Sequence, residues 1–272
     1  MLRLGVVSFL NARPLIDGLD ANSGVQCVLD VPSALPAGLE RGDFDAALIP
    51  IVDVLRSAGR FRVVSDACIG CDGETMTVRV FARVPPDRIY TLWVDADSHT
   101  SVALAVVLWR ELFGRQLTLR PLDARTEDVD EAEAVLLIGD KVVDPGRESF
   151  GYEVDLGGAW REHTGLPFVF AVWARRAQEC SDGQLGELLS AARDRGVARA
   201  AEIAATDGPA LGWPVEAARH YLTHCLRHKL DGRAIEGADL FARLCAAGGL
   251  VPRGAEIAWP EALRALGASA AP

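Results

Sequence analysis

The stretch DSHTSV, residues 97–102, sets three hydroxyls, Ser98, Thr100 and Ser101, at the start of a run that reads as a helix. Free N–H groups and the helix dipole at such a start favour a carboxylate or a phosphate. Hydroxyls there also serve as ordinary N-caps, and the sequence leaves both uses open. The opening stretch LRLGVVSFLNARPL, residues 2–15, starts as a buried strand and breaks off at Ser8. It presents the Ser8 hydroxyl and the Asn11 carboxamide at a carboxyl edge, with Asn11 also a candidate N-cap of a short helix. In GCDGETMT, residues 70–77, glycines let backbone N–H groups approach a ligand closely, or simply make a hairpin turn. Thr77 follows in a strand, where β-propensity alone accounts for a threonine. LLIGDKVV, residues 136–143, ends a buried strand on Gly139-Asp140. Asp140 either caps the next helix or faces a cleft.

Other reactive groups carry less. Cys68 and Cys71 form one Cys-x-x-Cys, but ahead of a strand rather than at a helix start, where thiol chemistry would want it. A zinc site needs a second ligand pair, and none is found. HYLTHCLRH puts His220, His224 and His228 one helical turn apart. No carboxylate or cysteine completes a metal set there, so a solvated or packed helix face is expected and no metal. The chain has no Gly-x-Gly-x-x-Gly after its first strand, no Gly-Lys-Ser/Thr loop and no Gly-x-Ser-x-Gly elbow. Nicotinamide redox chemistry, ATP chemistry and serine hydrolysis all lose ground.

The elements that must position these groups alternate. LRLGVV, VQCVLDV and FDAALIP read as strands, separated by helices at NARPLIDGL and at PSALPAGLERG, the latter closed by Gly42. IVDVLRSAG is a third helix. Such spacing implies parallel βαβ units, whose ligands sit outside the carboxyl ends of the strands. Ser8, Asn11 and Pro50 lie at that edge. FRVVSDACI and TMTVRVFA read as two strands joined by the turn GCDGE. A second α/β block follows: strands IYTLWVD, QLTLRPL and EAVLLIG, a long helix from SHTSV, a short helix GAWREHTG and the apolar strand LPFVFAVWA. From Gln178 onward the chain reads as helix, in segments divided near Gly208–Pro214 and Asp231–Gly232. The expected fold class is α/β, with two lobes and a helical C-terminal segment. Lobe one is expected to hold residues 1–86 and 173–272 and lobe two residues 87–172, with the ligand in the cleft between them.

At 272 residues, half of them hydrophobic, the chain is long enough for a large core. Its net charge of −10, without a basic run, argues against nucleic acid as a partner. No apolar window of about 20 residues is present, so no membrane span is expected. Residues 1–15 lack the layout of a secretory signal, and a cytoplasmic location is expected. Six cysteines in a chain this long do not make a disulfide scaffold. The sequence sets no oligomeric state.

In order along the chain, VSFLNARPL, RGDFDAALIP, GCDG…T, SHTSVALA, LLIGD, W…HTGLPFVFAVW and YLTHCLRHKLDGRAIEGADLF resemble the chorismate dehydratase family of the futalosine route to menaquinone. The resemblance covers nearly the whole chain. It implies a type II periplasmic-binding-protein-like fold used as an enzyme, and loss of water from chorismate to give 3-[(1-carboxyvinyl)oxy]benzoate without a cofactor. It implies that Asn11 and Thr77 lie against the substrate as catalytic residues; Ser8, Ser98, His99, Thr100, Ser101 and Asp140 are expected in substrate binding. Thr77 stands where many relatives have Ser, and His99 where relatives often have Arg. Two other functions share the fold: 1,4-dihydroxy-6-naphthoate synthase of the same pathway, with a bulkier substrate, and a non-catalytic solute-binding or sensor protein.

Overall fold

Leu4 to Val7 of β1 (Leu2–Val7) are all buried, as expected of a parallel strand covered on both faces. β1 lies between β2 (Val25–Asp30) and β3 (Ala46–Pro50) and is parallel to both. α1 (Leu35–Arg41), closed at Gly42, links β2 to β3, and α2 (Ile51–Arg56) leaves β3 at Pro50. The computed structural model describes residues 1–21, 24–95, 97–122, 132–143, 150–179 and 183–268.

Among the described residues there are two sheets. In the first, β4 (Phe61–Cys71) and β10 (Phe168–Arg176) join antiparallel to the parallel trio, and β11 (Leu226–Lys229) closes the edge, in the order β11-β4-β10-β3-β1-β2. The second contains β5 (Val78–Ala82), β6 (Thr91–Asp95), β7 (Thr118–Leu122), β8 (Ala134–Ile138) and β9 (Tyr152–Asp155), in the order β7-β6-β8-β5-β9. α3 (His99–Phe113) follows β6, and α4 (Leu156–Thr164) leads from β9 back towards β10. The C-terminal helices are α5 (Gly183–Ala198), α6 (Ala200–Ala210), α7 (Val215–His220), α8 (Gly232–Ala247) and α9 (Glu261–Ala268). The fold is mixed α/β with two sheets and a C-terminal helical segment, as the sequence led us to expect.

Three local expectations change. TMTVRVFA does not pair back on FRVVSDACI: β5 hydrogen-bonds β8 and β9, while β4 hydrogen-bonds β10 and β11. The chain therefore crosses between sheets at residues 72–77 and returns between Asp155 and Phe168, earlier than the boundaries expected at 86/87 and 172/173. Alternating apolar residues identify a strand but not its partner. Cys68 and Cys71 lie inside β4, not before a strand. Both are buried, and burial pushes both thiols far up, so neither has the thiolate character that redox exchange requires. Finally, the C-terminal segment is not helical throughout. HYLTHCLRHK passes from α7 into a π turn at Tyr221–Cys225 and then into β11. His220 and His224 stack 5.1 Å apart on the turn, but His228 is buried in the strand.

One core cluster runs through both sheets and α8. Its centre is an edge-to-face group of Trp160, Phe168 and Phe241, which ties α4, β10 and α8 together. A second cluster gathers Leu10 with Ala204, Trp213, Tyr221 and Leu222. It packs the turn after β1 directly onto the C-terminal helices.

Candidate active site between the two sheets

β1 ends at Val7, and Ser8 N–H extends its ladder to the Asp30 carbonyl at 2.9 Å. Phe9 is extended, and residues Leu10–Leu15 wind into a 3₁₀ turn. Asn11 therefore sits inside the turn and does not cap it; the N-cap residue is Phe9, which makes no side-chain capping bond. The Asn11 carbonyl accepts from His228 Nε2 at 3.0 Å, a bond from β11. Burial pushes the His228 imidazole down to about 4, with Arg193 adding to the effect and the Asn11 carbonyl opposing it. The ring is thus a neutral N–H donor. The Asn11 Oδ1 atom is buried without a hydrogen-bond partner among the described residues.

The crossing loop brings Thr77 from the other side. Asp155, at the end of β9, caps α4 through Gly158 N–H at 2.9 Å. Its carboxylate also accepts from Thr75 N–H at 2.9 Å and Met76 N–H at 2.7 Å. Burial raises the Asp155 carboxyl above its usual range, against the pull of these three N–H groups and Arg79. Met76 is held at φ +65°, a conformation a non-glycine side chain rarely takes. Such local strain persists where surroundings over-determine it, and it clusters at functional sites. The result is that Thr77 Oγ1 lies 2.6 Å from the hydroxyl of Tyr221, which comes from the π turn.

The start of α3 completes the wall. Ser98 is the N-cap, its Oγ accepting from Ser101 N–H at 3.3 Å. Thr100 Oγ1 accepts from Val52 N–H of α2 at 3.4 Å, joining the two sheets' helices. Capping and cavity lining turn out not to be alternatives: Ser98, Thr100 and Ser101 do line the space between the sheets.

That space is a small, partly open cavity of about 60 Å³, below the usual range for small-molecule sites. Asn11, Thr77, Ser98, Thr100 and Ser101 line it, together with Thr75, Pro50, Phe9, Phe170 and Tyr221. No ionisable carboxylate, amine, guanidine or imidazole is among the described lining residues. Its polar groups are hydroxyls, one carboxamide and a phenol. A negatively charged ligand would therefore meet neutral donors and the start of α3.

The structure does not bring Ser8, His99 or Asp140 to the lining. The Ser8 backbone N–H joins the ladder to β2. His99 Nδ1 lies 2.7 Å from Asp53 Oδ2, a contact between α3 and α2. Asp140, in the turn after β8, accepts from Trp213 Nε1 at 2.8 Å and from Leu10 N–H at 3.4 Å. Burial raises its carboxyl above the usual range, while these two bonds and Arg13 oppose the rise. Gly139 before it has φ +59°, and a Cβ there would meet the Phe9 ring at 2.7 Å. The sequence reading missed Tyr221, Trp213, Asp155 and His228. Only Asp155 carried a local signal, as an acidic residue just ahead of a helix.

A family model described as menaquinone biosynthesis matches residues 2–247. The curated chorismate dehydratase of Thermus thermophilus is 27% identical over 255 residues, covering 88% of this chain and 93% of that protein. Among solved structures, a protein from Archaeoglobus fulgidus superposes with a TM-score of 0.70 at 14% identity, covering 92% of this chain and 98% of its own. The periplasmic aliphatic sulphonate binding protein SsuA from Escherichia coli superposes with a TM-score of 0.64 at 14% identity, covering 94% and 95%. These structural likenesses show the periplasmic-binding-protein fold.

Proposed function

The chain belongs to the menaquinone biosynthesis family, and from that premise we propose that it is a chorismate dehydratase, a carbon–oxygen lyase of the futalosine route. In this reading chorismate binds between the sheets, loses its C3 proton and its C4 hydroxyl, and leaves as 3-[(1-carboxyvinyl)oxy]benzoate. The proton and the hydroxyl together make the water released. The ring becomes aromatic, so the step is downhill and needs neither an electron carrier nor a group donor.

The observation that carries the reading is the neutral, hydroxyl-rich cavity with Asn11 and Thr77 both in its wall. A dianion in a chain of net charge −10 requires local donors, and the start of α3 with Ser98 and Ser101 offers them. The described lining offers no carboxylate or imidazole as base. That favours the substrate's own enolpyruvyl carboxylate as the proton acceptor, held in reach by the site, which is a proximity effect. Asn11 then holds the substrate through its carboxamide, and Thr77 meets the departing oxygen. Ser8, His99 and Asp140 act behind this wall rather than on the substrate. The two sheets serve as lobes that close over a small molecule, in the cytoplasm, with no nucleic-acid or membrane partner.

Purified, metal-free protein incubated with chorismate tests this. Loss of one water with growth of the benzoate absorbance is the expected result. Unchanged chorismate with conversion of cyclic dehypoxanthine futalosine would reassign the protein to the naphthoate synthase step. Binding of chorismate without turnover would make it a solute-binding or sensor protein.

A further inference from the structure

Tyr221 lines the cavity together with Asn11 and Thr77. It comes from neither sheet but from the C-terminal segment, at the first residue of the π turn. Single π turns inside helices recur at functional sites, because the extra residue re-aims a side chain. The phenol is buried and lines the cavity. Its oxygen is 2.6 Å from Thr77 Oγ1, and the Asn11 carboxamide lines the same cavity. The ring is clamped: Trp213 stacks on it at 4.9 Å and 10°, and Trp213 is itself fixed by the Asp140 carboxylate. Burial holds the phenol protonated, so it has one proton to give.

We propose that Tyr221 is a positioning residue that sets the hydrogen-bond polarity of the cavity, accepting from the Asn11 amide and donating to Thr77. Asn11 has one donor side and one acceptor side. With its NH₂ group committed to the phenol, the unpartnered Oδ1 becomes the acceptor presented to a ligand. With its lone pair committed to Tyr221, Thr77 turns its own O–H outward as a donor. The cavity therefore selects a ligand with a hydroxyl or polarised C–H facing Asn11 and an acceptor oxygen facing Thr77. Resting on the dehydratase reading, that acceptor is the departing C4 oxygen of chorismate.

Two measurements test the proposal. In Tyr221→Phe the ring and its stack remain and only the oxygen goes. The expected result is a kcat about 100-fold lower with KM within about threefold, as for loss of one preorganised transition-state contact. The second measurement needs neither substrate nor a foldable Tyr221 variant. The chain has only three tyrosines, and Tyr90 and Tyr152 are exposed. In protein labelled with ¹³Cζ-tyrosine, the one resonance that does not titrate with the exposed pair belongs to Tyr221. It is expected to move in both Thr77→Val and Asn11→Ala. Wild-type kcat in Tyr221→Phe, or a resonance unmoved by either substitution, would overturn the proposal. Should wild-type protein leave chorismate unchanged, the dehydratase reading falls, and the resonance alone decides whether Tyr221 bridges the two side chains.

Discussion

Asn11 and Asp140 were both candidates for contact with substrate, and the structure separates them. Asn11 Oδ1 is buried in the cavity wall without a partner, whereas both known bonds of Asp140 run to Trp213 and the Leu10 backbone. Asn11→Ala should therefore lower kcat by about 100-fold or more, and Asp140→Asn by less than about tenfold, in a steady-state chorismate assay. The opposite order would make Asp140 the base. His99 occupies a similar second rank. Its ring is tied to Asp53, and His99 is not among the residues lining the cavity. His99→Gln should change kcat/KM by no more than about threefold. Its pH profile should match that of the wild type, since the ring does not face the cavity.

At the scale of elements, the 3₁₀ turn that carries Asn11 is held by close approach as well as by hydrogen bonds. α5 passes so near it that a Cβ on Gly196 would lie 1.9 Å from the Pro14 carbonyl oxygen. Alanine in place of glycine on an open helix face usually stabilises by about 1 kcal/mol. Here the sign should reverse, because backbone rather than a mobile side chain is in the way. Gly196→Ala is expected to lower stability by about 2 kcal/mol or more, seen as a lower urea midpoint at unchanged slope. On the other side of the turn, His228 of β11 donates to the Asn11 carbonyl. The C-terminal segment thus works as a buttress for the first turn of the chain, and its cluster with Leu10 supplies the apolar part of that support.

The whole molecule registers the same buried imidazole in its stability. His228 is neutral in the folded protein down to about pH 4, whereas in the unfolded chain it takes a proton near its ordinary 6.5. Between those values the unfolded chain binds more protons. The stability His228 confers by staying neutral is complete above pH 6.5, falls as pH drops towards 4 and is flat below. The span amounts to roughly 3 kcal/mol. Chemical denaturation at a series of pH values should show that slope in wild-type protein and lose it in His228→Gln. Contacts around the cavity include Asp53 with His99, Val52 with Thr100, Asp140 with Trp213 and with the Leu10 backbone, and Thr77 with Tyr221. Together they close the structure around an uncharged cavity.

The strands and most helices were legible because their signals are local. Alternation at LRLGVV and FDAALIP, Gly42 behind α1 and the hydroxyls ahead of α3 each act within a turn or two of themselves. The same holds for much of the site. Asn11, Thr77 and the Ser98–Ser101 group line the cavity because strand ends and helix starts gather at one edge of such folds. What the sequence could not decide is pairing. β5 and β4 look alike as apolar strands, and only hydrogen bonding to β8 or to β10 assigns each to its sheet. β11 hides in a helical pattern because its four residues gain strand geometry only from the free edge of β4. Ser8, His99 and Asp140 were drawn to the site by type and proximity in sequence, yet their nearest polar partners lie far along the chain. Tyr221 was missed for the same reason. It is 144 residues from Thr77, and a contact at that separation exists only once both sheets and the C-terminal segment have closed around it.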